Sequence, residues 1–288
     1  MRIKRGPVMH ARIAEVSVEK YRESIATTEN DLLAIEEPLE IQILHTENGN
    51  LIDSTLSITM RTPGEDPSLA LGFLFAEGVI SSMADVARIE EISTGGRDKP
   101  FTAELRIALH PSINFDISSL QRHFFSTSSC GVCGRVALDN LPVENKISTE
   151  RQISPGVLHH LPKLLRKSQT LFQHTGGIHA AATFDFDGHL HALGEDVGRH
   201  NALDKVIGKM LNTGLTTPFS AFIALLSGRV SYELVQKAVM AGIPVIAAIG
   251  APSSLAVEIA GRFGITLIGF LRDNRFNVYT GKERIKPE

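Results

Sequence analysis

Along the chain the spacing of apolar positions switches between alternation, helical periods and unbroken runs, and each switch marks an element. Pro38 to Leu44 and Ser54 to Met60 alternate apolar and polar residues on either side of Asn48-Gly49-Asn50, the pattern of a hairpin with one buried face. Asp66-Pro67 supply a cap and a first-turn proline for Ser68 to Glu77, a heavily apolar helix (Leu69, Leu71, Phe73, Phe75) that stops at Gly78 and is expected to cover that hairpin. Arg88 to Ser93 and Ala103 to Leu109 return to a strand pattern around the polar turn Gly95 to Pro100.

The second half is more regular. Ser154-Pro155 open a helix that Pro162 is expected to shift or kink. Ile178 to Phe184 and His189 to Leu193 predict a hairpin across Asp185-Phe186-Asp187-Gly188, and Asp196 is placed to cap a helix over Gly198 to Leu211. Ala221 to Leu226, Pro244 to Ile249 and Thr266 to Leu271 are nearly continuous apolar runs, as parallel strands buried on both faces should be. Helices at Tyr232 to Ala241 and Ser253 to Phe263 separate them, and a short strand at Asn277 to Thr280 follows. The expected fold is α/β (α+β overall): an N-terminal extension (1–22), a small α+β domain (23–125), then a cysteine loop and an αβα domain with a mixed sheet (126–288).

Composition narrows the function. At 288 residues and 43% hydrophobic the chain is long enough for two cores, and a net charge of -3 gives no global field that would favour nucleic acid or an acidic membrane. The longest apolar runs fall far short of the roughly 20 residues of a spanning helix, so a soluble, cytoplasmic protein with reduced cysteines is expected.

Both cysteines of the chain lie in Ser128-Ser129-Cys130-Gly131-Val132-Cys133-Gly134-Arg135. Two glycines leave the sulfurs unshielded, and Arg135 with a helix expected from Gly134 adds positive potential that favours thiolate. A structural zinc would need two further ligands, and no His-x3-5-His run stands out, since His174 and His179 flank a glycine pair. A thioredoxin-like pair should directly follow a strand, whereas Gln121 to Ser129 reads as a helix end and a polar loop. A redox pair and a persulfide carrier both remain open on these residues.

Ligands of open parallel sheets bind beyond the strand C-termini. Here those ends run into Ser227-Gly228-Arg229, Gly250 to Ser254, and Arg272-Asp273-Asn274-Arg275, whose amides and guanidiniums suit an anion. His179 opens a small apolar strand beside Gly176-Gly177 and is a further candidate. The alternative is that Asp196 only caps its helix and Arg199 pairs with Glu195. A zinc deaminase would need His-x-Glu, but position 181 is alanine.

Taken together, Ser129 to Gly134, Thr175 to Ala180, Glu195 to Lys205, Leu226 to Ser231, Gly242 to Pro244, Ala251 to Ala256 and Gly269 to Arg272 resemble the formate dehydrogenase accessory sulfurtransferase family, FdhD, as do Met60 to Pro63 and Ala70 to Gly78. The resemblance implies a dimer with a cytidine-deaminase-like C-terminal domain lacking the deaminase zinc. It further implies a carrier that takes persulfide sulfur from a cysteine desulfurase and passes it to the molybdenum (or tungsten) bis(pterin guanine dinucleotide) cofactor bound for formate dehydrogenase. By position, Cys130 would carry the persulfide with Cys133 as its partner. Phe270, Leu271, Arg272, Asp273, Asn274 and Arg275 would bind the cofactor, helped by Ser227, Arg229 and His179, with GDP or GTP as analogues and no resident metal. The rival functions are a non-catalytic cofactor chaperone and a thiol-disulfide oxidoreductase.

Overall fold

A computed structural model describes residues 12–47, 49–92, 103–113, 146–147 and 149–287. The cysteine turn, the helix expected after Gly134, the Gly95 to Pro100 turn, the stretch before Ser129 and the 125/126 boundary all lie outside the described residues.

The chain opens with a hairpin, β1 (Ile13–Arg22) and β2 (Ile25–Ala34), paired along its whole length. Its base is held by Ile13, which clusters with Leu171 and Ile178 of the second half. Next come β3 (Glu37–Glu47), β4 (Asn50–Arg61), α1 (Asp66–Ala76), β5 (Val86–Ile92) and β6 (Ala103–Leu109). The four strands form one sheet in the order β4-β3-β6-β5, antiparallel except for β3 and β6. At its corner the buried Arg61 grips Asp66 with two hydrogen bonds, Nε to Oδ1 at 3.0 Å and Nη2 to Oδ2 at 2.8 Å, tying the end of β4 to the first turn of α1.

The second half runs α2 (Pro155–Ser168), α3 (Thr170–Thr175), β7 (His179–Asp185), β8 (Leu190–Asp196), α4 (Arg199–Asn212), β9 (Phe222–Leu226), α5 (Tyr232–Ala241), β10 (Val245–Ala248), α6 (Ser254–Arg262), β11 (Thr266–Arg272) and β12 (Arg275–Thr280). The sheet order is β12-β11-β10-β9-β7-β8. The central strands β9, β10 and β11 are parallel, while β7, β8 and β12 make it mixed. Helices cover both faces, as the continuous apolar strands require. Leu158, Leu161 and Leu165 of α2 are buried on one face against Ile223, Leu225, Val245 and Ile268. That i, i+3, i+7 stripe holds the helix down, and it continues through Pro162 to Ser168.

On the other face α4 and α5 pack beneath α1, and one continuous core runs from Leu39 and Ile107 of the first sheet through Leu69 and Leu74 to Leu203, Val206 and Val239. α1 and α4 cross at Gly72 and Gly208. A Cβ at Gly72 would stand 1.9 Å from the carbonyl oxygen of Asp204, and one at Gly208 the same distance from that of Ser68, so the helix backbones touch directly. Buried beside this crossing, Asp204 pairs with Lys237 of α5 at 2.7 Å. Among the described residues no helix is long and apolar enough to cross a membrane.

Candidate functional site

Because β7 runs antiparallel to β9, its first residue lies at the sheet edge where the parallel strands end. Ala181 pairs with Leu226 and His179 with Asp196, so the start of β7, the end of β8 and the ends of β9, β10 and β11 meet there. Hydrogen bonds stitch this edge together. Ser227 donates its amide to the Ala180 carbonyl at 2.9 Å, and its Oγ accepts from the Ala180 amide at 2.8 Å. The Ile249 amide donates to the Leu226 carbonyl, the Gly250 amide to that of Gly228, and the Phe270 amide to that of Gly250, each at 3.0 Å.

Over this edge lies a cleft of about 1090 Å³. Its floor is Ile178, His179, Val197, Ser227, Ile249 and Leu271 to Asp273, and its far wall is the second half of α2 with α3. The wall is clamped by Glu195 at the end of β8, whose carboxylate accepts from the amides of Leu171 at 3.0 Å and Phe172 at 2.9 Å, capping the short α3. Gln173 Nε2 donates to the Arg166 and Lys167 carbonyls at the end of α2, and Arg166 lies 4.4 Å from the Phe172 ring centroid.

Electrostatics at the floor follow from the β8–α4 turn. Asp196 Oδ2 accepts from the Thr62 amide at 3.1 Å and pairs with buried Lys205, while its Oδ1 accepts from the Gly198 amide at 2.9 Å. Asp196 thus closes the turn before α4 but does not cap the helix, whose N-cap is Gly198 with no side-chain cap hydrogen bond; its principal partner is an ammonium in the core. The Val197 amide donates to Thr62 Oγ1 at 3.2 Å, so the first lobe holds a residue that lines the cleft. Glu195 serves α3. The ring of His179 packs on Gly228. Burial lowers the His179 pKa below its ordinary value, and the charges of Arg199 and His200 push the same way against the opposing pull of Asp196. At neutral pH the cleft floor therefore presents a neutral imidazole, able both to donate and to accept.

Of the residues singled out from the sequence, His179, Ser227, Leu271, Arg272 and Asp273 meet in the cleft. Arg229, Phe270, Asn274 and Arg275 are not among its lining residues. Arg272 spends Nη1 on the carbonyls of Ile249 at 2.7 Å and Leu271 at 2.8 Å. Phe270 is exposed at an irregularity in the β11–β12 pairing, with a φ of 53° that non-glycine residues seldom adopt. Cys130 and Cys133 lie outside the described residues. Sequence reasoning did not anticipate the α2–α3 wall, with Lys163, Arg166, Lys167, Gln169 and Phe172. Its only sequence signal is the run of cations at i, i+3 and i+4 near a helix end, which also suits the helix dipole.

Comparison with known proteins covers nearly the whole chain. The model of the FdhD/NarQ family matches residues 34–286. A protein of Streptomyces coelicolor named sulfur carrier protein FdhD is 44% identical over 275 residues, spanning 93% of this chain and 94% of the relative. One of the same name from Sulfurisphaera tokodaii is 43% identical over 274 residues, spanning 95% and 99%. Among solved structures, one described as a putative formate dehydrogenase accessory protein from Desulfotalea psychrophila superposes with a TM-score of 0.69 at 22% identity, covering 94% of this chain and 98% of that one. This last likeness establishes the shared mixed α+β fold.

Proposed function

The chain belongs to the FdhD/NarQ family, and from that membership we propose that it is a sulfur carrier serving formate dehydrogenase. Cys130 takes sulfur from a cysteine desulfurase and delivers it to a molybdenum bis(pterin guanine dinucleotide) acceptor seated in the cleft. The observation that carries this reading is the conjunction of near-complete coverage by relatives named sulfur carriers with a chain that has only two cysteines. Any sulfur in transit must then sit on Cys130 or Cys133.

In the loading step the Cys130 thiolate attacks the outer sulfur of the donor's persulfide. The donor's S–S bond breaks, its cysteine leaves as thiolate, and a new persulfide forms on Cys130 with no external oxidant. For the acceptor, the cleft offers a volume at the upper end of small-molecule sites, an apolar floor at Ile178, Ile249 and Leu271, and polar groups at Ser227 and His179. A homodimer in the cytoplasm, presenting two such clefts, suits a ligand with two guanine nucleotide arms.

The test is mass spectrometry after incubation with a cysteine desulfurase and cysteine. The carrier reading expects an adduct of about 32 Da, one sulfur, on the Cys130 peptide. No adduct, with Cys130→Ala protein still supporting formate dehydrogenase activity, would make the protein a cofactor chaperone. Turnover of disulfide substrates through a Cys130–Cys133 disulfide would make it an oxidoreductase. Calorimetry with GDP or GTP tests the acceptor site separately.

A further inference from the structure

We infer that the pyrophosphate of a nucleoside diphosphate in the cleft is held along α2, by Lys163, Arg166 and Lys167, rather than at the β11–β12 turn; this deepens the acceptor reading and rests on it. The inference starts from an imbalance of charge. In a chain of net charge -3, the cleft is lined by four cations, Lys163, Arg166, Lys167 and Arg272, against the single carboxylate of Asp273. Among the described residues none of the four forms a salt bridge. Arg272 is the least available, because two backbone carbonyls already take its Nη1. Arg229 and Arg275 do not line the cleft. The cations left to meet a polyanion are those of α2.

The α2 residues are also suitably built for it. All three are exposed while Leu158, Leu161 and Leu165 pin the helix to the sheet, so the backbone that carries them is held at the rim. Phe172 holds the Arg166 guanidinium, and Gln173 fixes the helix end. Opposite them Gly176 leaves open space, with nothing within 4 Å of where a Cβ would be. The dipole of α2 accounts for cations in its last turn, Arg166 and Lys167, but not for Lys163 a turn earlier. A guanidinium between two ammoniums, spaced along little more than one turn, matches the non-bridging oxygens of two linked phosphates.

The experiment is calorimetric titration of GDP and of inorganic pyrophosphate into the full-length protein, into the K163A/R166A/K167A variant, into the charge-conserving K163R/R166K/K167R variant, and into Arg88→Ala. Arg88 is an exposed cation of β5 and serves as a control for loss of charge alone. The expected result is an affinity about tenfold or more weaker for both ligands in the alanine variant at low salt, with melting temperature preserved. The charge-conserving variant, which keeps all three charges but moves the guanidinium off Phe172, should bind more tightly than the alanine variant and more weakly than wild type. Unchanged GDP affinity in the alanine variant overturns the inference and leaves the acceptor reading standing. An equal loss in Arg88→Ala overturns it too, by reducing the effect to a diffuse field. If the wild type binds neither ligand, both the inference and the acceptor site fall, while the sulfur adduct on Cys130 still decides the carrier reading.

Discussion

Lys205 Nζ sits 2.6 Å from Asp196 Oδ2 with both side chains wholly shut off from solvent. The same ammonium donates to the carbonyl oxygens of Thr62 at 3.0 Å and Glu195 at 3.1 Å, so one buried cation joins the corner of the first sheet to the turn that shapes the cleft floor. Burial disfavours the charge on Lys205, and Asp196 offsets that cost. Lys205→Met should leave Asp196 buried without its counter-charge and destabilise the fold by about 3–5 kcal/mol. Urea unfolding measures it, and a loss below about 1 kcal/mol would mean that water reaches the pair.

At the crossing of α1 and α4, Gly208→Ala sets a methyl against the Ser68 carbonyl. Alanine is the better helix former by about 1 kcal/mol, but forcing two packed helices apart costs roughly 1–3 kcal/mol or more. Net destabilisation is expected in thermal melts. A variant more stable than wild type would show that the crossing yields easily.

The β7–β8 turn gives an acid-sensitive contribution of known sign. Burial pushes the Asp185 carboxyl up, but hydrogen bonds from the amide and ring of His189 and the amide of Asp187, each at 2.9 Å, win and hold it at about 2. A carboxyl whose folded pKa lies below its unfolded value, 3.8, stabilises the protein above 3.8. That contribution disappears as pH falls through about 2. Asp185→Asn should therefore flatten the stability curve in that window; because the same carboxylate raises the His189 pKa above 6.5, the variant should also lose the stability that His189 supplies below 6.5 and sheds as pH rises beyond it. An identical acid limb in both proteins would remove Asp185 from the account.

The two cysteines should divide their labour. Cys133, next to the helix expected from Gly134, is expected to have the more stabilised thiolate, and Cys130 the greater reach. Cys130→Ala is expected to abolish sulfur loading, and Cys133→Ala to load but transfer poorly. Label found at Cys133 in the Cys130→Ala protein reverses the assignment.

Most of the second half was legible because its strands carry unmistakable patterns. The continuous runs of β9, β10 and β11 and the Asp185 to Gly188 turn left little freedom. The β1–β2 hairpin went unread although Ala14, Val16 and Val18 alternate with Glu15, Ser17 and Glu19. Its second strand opens with Ile25-Ala-Thr-Thr-Glu-Asn-Asp, largely exposed, and only its end, at Leu32 and Ala34, packs on an apolar cluster. Pro162 does not end its helix, since one pinned down by three leucines tolerates one missing amide donor. At the site, strand-end loops announced themselves through glycines and serines, whereas α2 looked like any amphipathic helix. Nothing local in Lys163, Arg166 and Lys167 says that a cleft lies in front of them. Only the antiparallel insertion of β7, which carries His179 to the same edge, puts it there.

Thr62 lines no part of the cleft, yet it holds the Val197 amide through its hydroxyl and Asp196 through its own amide. Any coupling carried by that contact must be reciprocal. If an occupant of the cleft quiets the end of β4 through this contact, then whatever grips the first sheet must retune the cleft's affinity by the same factor. The small lobe is in this sense a handle on the pocket, and amide exchange at Met60 to Thr62, slowed when GDP binds, is where its pull would be read.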